Sequence, residues 1–341
     1  MNDDNNDFPG WVDRKPIEAA ARMFELPVDS LERRTDGIID GTIRPIRTPW
    51  PHFDDIKAAM PGTLNVVCGD PGSAKSFLVL QLMAFAQHHG KDDGEGVPVA
   101  LLELECSRDW HLHRYLAQLS GNANATNIDW IAKHGDEMTA LIGQHRQALD
   151  RLGRDMTVTD GKLWNQHDIM EWAKASLKRG VKLLAIDPIT AMQPSQRPWE
   201  DDQYLITGLR RLVEEHHAAA WLVTHPKKGR RNEVSMEVLA GGAAISRFTD
   251  VVLWLERKEK PETHIVEGNV VWTHSGSRAK EHRHDRMVRV LRVLKCRDGT
   301  AAGRKLSVEL DIERLTITSN GWIIRIEKDD DTDNEAKENG F

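Results

Sequence analysis

Residues 64–87 read LNVVC, GDPGSAKS, FLVLQLMAFAQ, and this stretch decides the fold. The apolar run 64–68 has the length and β-branched content of a buried strand, and the run 77–87 reads as a buried helix. Between them, Gly69, Asp70, Pro71, Gly72, Ser73, Ala74, Lys75 and Ser76 approximate the pattern G-x-x-x-x-G-K-[ST]. In such a loop successive backbone N–H groups and the following helix N-terminus cradle phosphates. Lys75 would meet the β- and γ-phosphates of a nucleotide such as ATP, and the Ser76 hydroxyl would bind Mg2+. Ala74 stands where the pattern has its last glycine.

The surrounding chain continues the theme. Apolar runs at 99–104, 181–186 and 220–224 read as strands, and 108–119, 169–178 and 203–216 as helices. Strands are expected at 251–255, 270–273, 287–295, 306–310 and 315–318, with few helices between them. Alternation followed by strands predicts an α/β fold, a mainly parallel sheet with antiparallel C-terminal strands and helices on both faces. Residues 51–326 form this core. Residues 1–50 form an N-terminal arm with a short helix near 17–24 that could dock a subunit, and residues 327–341 form an acidic, disordered tail.

Strand ends supply further chemistry, because ligands of open α/β sheets bind at the carboxyl ends of strands. The run LLAI ends in Asp187, a candidate metal-side carboxylate. LELECS at 102–107 offers Glu105 as a base for water, with Glu103 as fallback, since period-2 alternation puts both on one face. His225 follows the strand 220–224 and is a candidate sensor of the γ-phosphate. Just beyond it, PKKGRR places Lys227, Lys228, Arg230 and Arg231 where backbone phosphates of a nucleic acid could bind without sequence readout. Trp254 and Trp272 are expected in the core or an interface.

With 46 Lys+Arg against 53 Asp+Glu, the net charge of −7 taken as a total argues against a polyanionic partner. The acids are segregated, however. Asp3, Asp4 and Asp7 fall in the first eight residues without a base, and residues 327–341 hold seven acids and two lysines. The body between is nearly neutral, and 278–297 carries eight Lys/Arg against two acids. The start has neither a basic n-region nor an apolar h-region, and no apolar run is long enough to span a bilayer. Cys68, Cys106 and Cys296 form neither a zinc pattern nor a disulfide framework, which fits a reducing cytoplasm.

Taken in order, GDPGSAKS, LELECS, LLAIDP, WLVTH, LAGGAAISRFTDVVLWLER (239–257) and VLRVLKCRDGTAAG (290–303) resemble the RecA-like ring helicases of the DnaB class. The likeness runs over residues 45–318 and is greatest to the helicase half of phage and mitochondrial primase-helicases. It implies a P-loop ATPase that moves on single-stranded DNA in replication as a homo-oligomer, a hexameric ring. It assigns Glu105 as catalytic base, His225 as phosphate sensor, and Lys295 and Arg297 as groups reaching the neighbouring subunit's site. It places Gly241 and Gly242 in a channel-facing loop whose usual arginine is Ala240 here. It also implies that the acidic tail, ending in Phe341, docks a replication partner such as a polymerase or primase. The short N-terminal segment and the lack of a zinc motif suggest a helicase without a fused primase. Two other readings stay open: another RecA-like ATPase, of the strand-exchange or RepA-like replication type, and a non-translocating nucleotide-binding switch.

Overall fold

A computed structural model describes residues 27–159, 161–227, 234–257, 262–266, 269–272 and 286–328. The expected helix at 17–24, most of the basic run (Lys228, Arg230 and Arg231) and residues 329–341 lie outside the described residues. The chain divides into two compact units, residues 1–44 and 45–341. In the first, helix α1 (Pro27–Ile39) exposes Val28, Leu31, Ile38 and Ile39. The boundary falls before residue 45 and not at residue 50, because Ile46 and Trp50 are buried in the core of the second unit. The Trp50 indole donates to the Ile317 carbonyl at 2.8 Å.

In the second unit a short helix, α2 (His52–Asp55), precedes β1 (Leu64–Cys68) and α3 (Lys75–His89). Then follow β2 (Val99–Glu103), α4 (Arg108–Ser120), α5 (Ile128–Lys133), α6 (Gly135–Asp155) and β3 (Met156–Val158). Next come α7 (Gln166–Lys178), β4 (Leu183–Asp187), α8 (Pro198–Glu215), β5 (Ala219–Val223) and α9 (Gly242–Phe248). Strands complete the chain: β6 (Val251–Arg257), β7 (Glu262–Val266), β8 (Asn269–Trp272), β9 (Arg286–Cys296), β10 (Lys305–Asp311) and β11 (Thr316–Lys328). They form one sheet in the order β3-β2-β4-β5-β1-β6-β9-β10-β11-β7-β8. Pairings from β3 to β6 are parallel, and those from β6 to β8 are antiparallel.

The parallel strands bury alternate residues on opposite faces. In β4, Leu183 and Ala185 join the cluster containing α3, α4 and α6, while Leu184 and Ile186 join the one containing α7, α8 and α9. Trp221 of β5 lies between Phe53 and the sheet, its ring stacked at 6.0 Å. Trp254 of β6 is fully buried in the opposite cluster. This double burial makes the strands continuous apolar runs and fixes their register.

The structure departs from the sequence reading in several elements. Helices α1, α2, α5, α6 and α9 and strands β3 and β7 have no counterpart among the elements expected from the sequence. Of the 21 residues of α6, only Met138, Leu149 and Leu152 are buried, so its apolar stripe is thin. β11 continues past residue 318 through the polar TSNG segment to Lys328, pairing with β7 from Ile323 onward across a register shift. The strand therefore takes in the first two residues assigned to the acidic tail.

Candidate nucleotide site

The strand order brings together what the sequence scatters. β2, β4, β5 and β1 are neighbours, so their carboxyl ends deliver Glu105, Asp187, His225 and the 69–76 loop to four adjacent positions. At about 4.8 Å per strand this row spans on the order of 15 Å.

The loop is built around Lys75, which is 5 % exposed and caps the loop's interior. Its Nζ donates to the carbonyls of Gly69 (2.8 Å) and Asp70 (3.0 Å) and lies 3.5 Å from Ser73 Oγ. Burial depresses the Lys75 pKa, while Asp187, Asp70 and Glu105 are among the negative groups that oppose the shift. Gly69 is obligatory on steric grounds, since a Cβ there would collide with the Leu255 carbonyl of β6.

Ala74 is the N-cap of α3 at φ 79°, ψ 25°, the left-handed conformation for which the motif normally uses glycine. That conformation costs an L-residue about 1–2 kcal/mol. The methyl is 8 % exposed and packed into the core cluster, which offsets about 0.8 kcal/mol. The loop thus keeps the glycine conformation at a small cost. Ala74→Gly should therefore raise stability by no more than about 1 kcal/mol in denaturant titration and leave nucleotide affinity unchanged. A clear loss of stability would mean that the methyl, and not the backbone, shapes the loop.

Asp187 closes β4, fully buried, and accepts a hydrogen bond from the Ser76 hydroxyl. Desolvation pushes its pKa up to about 6 against the opposing pull of Ser76 and Lys75. The Ser76 hydroxyl and the Asp187 carboxylate, bonded to each other beside Lys75, are oxygen donors suited to a hard divalent cation, so the residues fit Mg2+ with a nucleotide.

Glu103 and Glu105 do not share a face as alternation suggested. β2 ends at Glu103, the chain bends, and Leu104 N–H donates to the Asp187 carbonyl at 2.9 Å. Glu105 is exposed, and its charge acts on Lys75 and Asp187. Glu103 is 3 % exposed and its Oε2 lies 2.7 Å from His111 Nε2 on α4. Burial raises the Glu103 pKa well above the usual carboxylate range and lowers that of His111 to about 3. Buried against His111, Glu103 is not placed to act on water as the fallback base.

His225 is half-buried and its imidazole hydrogen-bonds the Gly69 backbone, joining β5 to the phosphate loop. Desolvation, seconded by Lys75, lowers its pKa, so it is neutral near pH 7. Its Nδ1 is buried without a hydrogen-bond partner. The His225 carbonyl accepts from Ala240 N–H (3.1 Å), and Lys227 N–H donates to Val238 (2.8 Å). Lys227 Nζ donates to the Glu237 carbonyl at 2.8 Å. Gly241, at φ +84°, then turns the chain into α9 at Gly242. The 239–242 segment is thereby tied to the sensor position.

Lys295 and Arg297 lie elsewhere. Cys296 pairs with Val251 and Lys295 with Val252, while Val251 is level with Asn65 at the start of β1. Both cations therefore leave the sheet at the edge opposite the phosphate loop. Lys295 Nζ donates to the carbonyls of Ser246 (2.8 Å) and Thr249, and Arg297 Nη2 to that of Arg247 (3.0 Å). Sequence reasoning missed the buried partner between them, Asp250, which hydrogen-bonds Arg210 of α8.

No described helix is long and apolar enough to cross a membrane, and among the described residues no His/Cys/Asp/Glu cluster forms a metal site of three or more. All three cysteines are free, and burial pushes the Cys68 thiol up to about 12.

This architecture has the fold of the ATPase domains of DnaB-like helicases. A family model described as an AAA domain matches residues 45–231, more than half of the chain, and the chain belongs to that family. It is 24 % identical over 210 residues to the Twinkle homolog protein, chloroplastic/mitochondrial, of Arabidopsis thaliana. That alignment covers 59 % of this chain and 28 % of the relative, so the chain spans about a quarter of the curated protein it matches. Among solved structures, an isolated ATPase domain superposes with a TM-score of 0.61 at 12 % identity, covering 85 % of this chain and 98 % of that one. A DnaB-like replicative helicase, solved to examine its interactions with primase, superposes at 0.60 with 14 % identity, covering 85 % and 66 %.

Proposed function

We propose that this protein is an ATP-driven translocase of the replicative-helicase type, acting on single-stranded DNA as a ring of identical subunits, most simply six. The observation that carries this reading is the separation of the two halves of the site. Lys75, Ser76, Asp187, Glu105 and His225 converge at one edge of the sheet, whereas Lys295 and Arg297 leave the other. A finger that cannot serve its own loop is useful only to a neighbour. The exposed apolar stripe of α1 supports docking between copies, since a lone subunit gains nothing by exposing Val28, Leu31, Ile38 and Ile39.

In this scheme Lys75 exchanges the Gly69 and Asp70 carbonyls for the β- and γ-phosphates, and Ser76 and Asp187 hold the cation's side of the site. Mg2+, when bound, neutralises phosphate charge during transfer. Glu105 accepts the proton of the attacking water, and Arg297 of the adjacent copy offsets charge on the transferred group. His225, neutral and tied to Gly69, reports γ-phosphate loss to Lys227 and the 239–242 segment, which with Lys228, Arg230 and Arg231 would grip the DNA backbone. The acidic tail ending in Phe341 would dock a replication partner.

The test is ATP hydrolysis with and without single-stranded DNA, on protein whose assembly is imaged in parallel. Rings with DNA-stimulated turnover are expected. Filaments would favour a strand-exchange ATPase, and turnover indifferent to DNA would leave a nucleotide-binding switch.

A further inference from the structure

Asp250, the residue before β6, is 2 % exposed and locked in place. Its N–H donates to the Leu64 carbonyl and its Oδ2 accepts from Leu64 N–H, both at 2.8 Å, fixing it on the first residue of β1. Oδ2 also takes the Arg210 guanidinium, which is held on its other side by Glu214 at 2.6 Å. The Asp250 carbonyl accepts the backbone N–H of Arg297 at 2.9 Å. Oδ1 is different: it is buried, has no hydrogen bond, and lies 3.5 Å from Arg297 Nη1. Buried carboxylate oxygens without a hydrogen bond are uncommon, and this one faces a guanidinium that is 43 % exposed. Lys295 is occupied with the Ser246 and Thr249 carbonyls and does not compete for it.

We propose that Asp250 is the positioning residue of the finger. Arg210 and Leu64 hold the carboxylate by Oδ2, and Oδ1 steers Nη1 of Arg297 while the Arg247 carbonyl holds Nη2. The guanidinium is thus fixed on two sides on its own subunit and presented outward to the next one. Asp250 touches no nucleotide and acts only through Arg297, so the inference rests on the reading of Arg297 as a group working in trans.

Asp250→Asn keeps the volume and an acceptor for Leu64 N–H but removes the charge that orients Arg297. In the assembled full-length protein, kcat for ATP should fall about 10²-fold, the scale of a small misplacement of a reacting group, with KM for ATP and the oligomeric state retained. Mixing separates positioning from damage. Asp250→Asn subunits keep an intact nucleotide site, and Lys75→Ala subunits keep an intact finger. Co-assembly should therefore restore turnover that neither variant shows alone. An Arg297→Ala plus Lys75→Ala mixture is the control. Recovery in the control without recovery for Asp250→Asn would overturn the proposal, as would wild-type kcat in Asp250→Asn alone. No recovery in either mixture would overturn the trans reading itself. If Asp250→Asn does not fold, Asp250→Asn/Arg210→Gln removes both charges of the buried pair and must show the same recovery.

Discussion

Lys75→Ala is expected to abolish ATP turnover, by about 10³-fold or more, and to weaken nucleotide binding at the same time. Single preorganised electrostatic groups in a water-poor site are each worth about 10² to 10³ in rate, and Lys75 also loses a ground-state role. Its ammonium group is buried among the Gly69 and Asp70 carbonyls, so it also holds the loop in shape. Alanine removes the clamp and the phosphate contact together. The loss should appear both in phosphate-release assays and in titration with a fluorescent ATP analogue. Assembly is expected to survive, because Lys75 faces the interior of its own subunit. Retained turnover would move the nucleotide site away from residues 69–76 altogether. The small effect expected for Ala74→Gly, one residue away, makes the pair informative: charge at residue 75 matters and the methyl at residue 74 does not.

The central strands were legible because burial on both faces writes each as an unbroken apolar run. Residues 64–68 and β1 coincide, and β4 and β5 fall within two residues of the expected bounds. Elements that lean on the core along one narrow face were not legible. α6 presents mostly polar residues to solvent, and β11 crosses the polar residues 318–321, held there by its pairing with β10. At the site, Asp187 and His225 stood out because each follows an apolar strand. Their adjacency did not, since it follows from crossovers that insert β4 and β5 between β2 and β1. Glu103 and Glu105 show the limit of periodicity. Alternation holds only while the strand lasts, and β2 stops at Glu103, which then turns to His111. Asp250 gave no signal in the sequence, because an acid before an apolar strand is commonplace. Only the meeting of β1, α8 and β9 around it reveals a buried carboxylate shared by two arginines.

Arg297→Ala is expected to lower ATP hydrolysis by about 10³ to 10⁵, the range seen when an arginine supplied to a phosphoryl-transfer site is removed. Three observations set the form of that loss. Cys296, the preceding residue, is level with Val251 and Asn65, so the carboxyl end of β1 is three residues away, on the order of 10 Å along the strand. The guanidinium also points to the Arg247 carbonyl and Asp250, away from its own loop. Nucleotide affinity should therefore stay close to wild type, because nothing in the subunit's own cradle changes. Finally, Arg297 is 43 % exposed, and the buried Asp250 keeps its bonds to Arg210 and Leu64 N–H without it, so the melting temperature should move little. A large kinetic defect with unchanged binding, stability and assembly is the signature of a group acting on a neighbour. It carries a second expectation: wild-type turnover per subunit should rise with protein concentration as copies assemble, whereas the Arg297→Ala protein should stay flat. Normal turnover in a fully assembled variant would remove Arg297 from the reaction. A parallel loss of nucleotide affinity would make it a support of its own subunit's fold, working in cis.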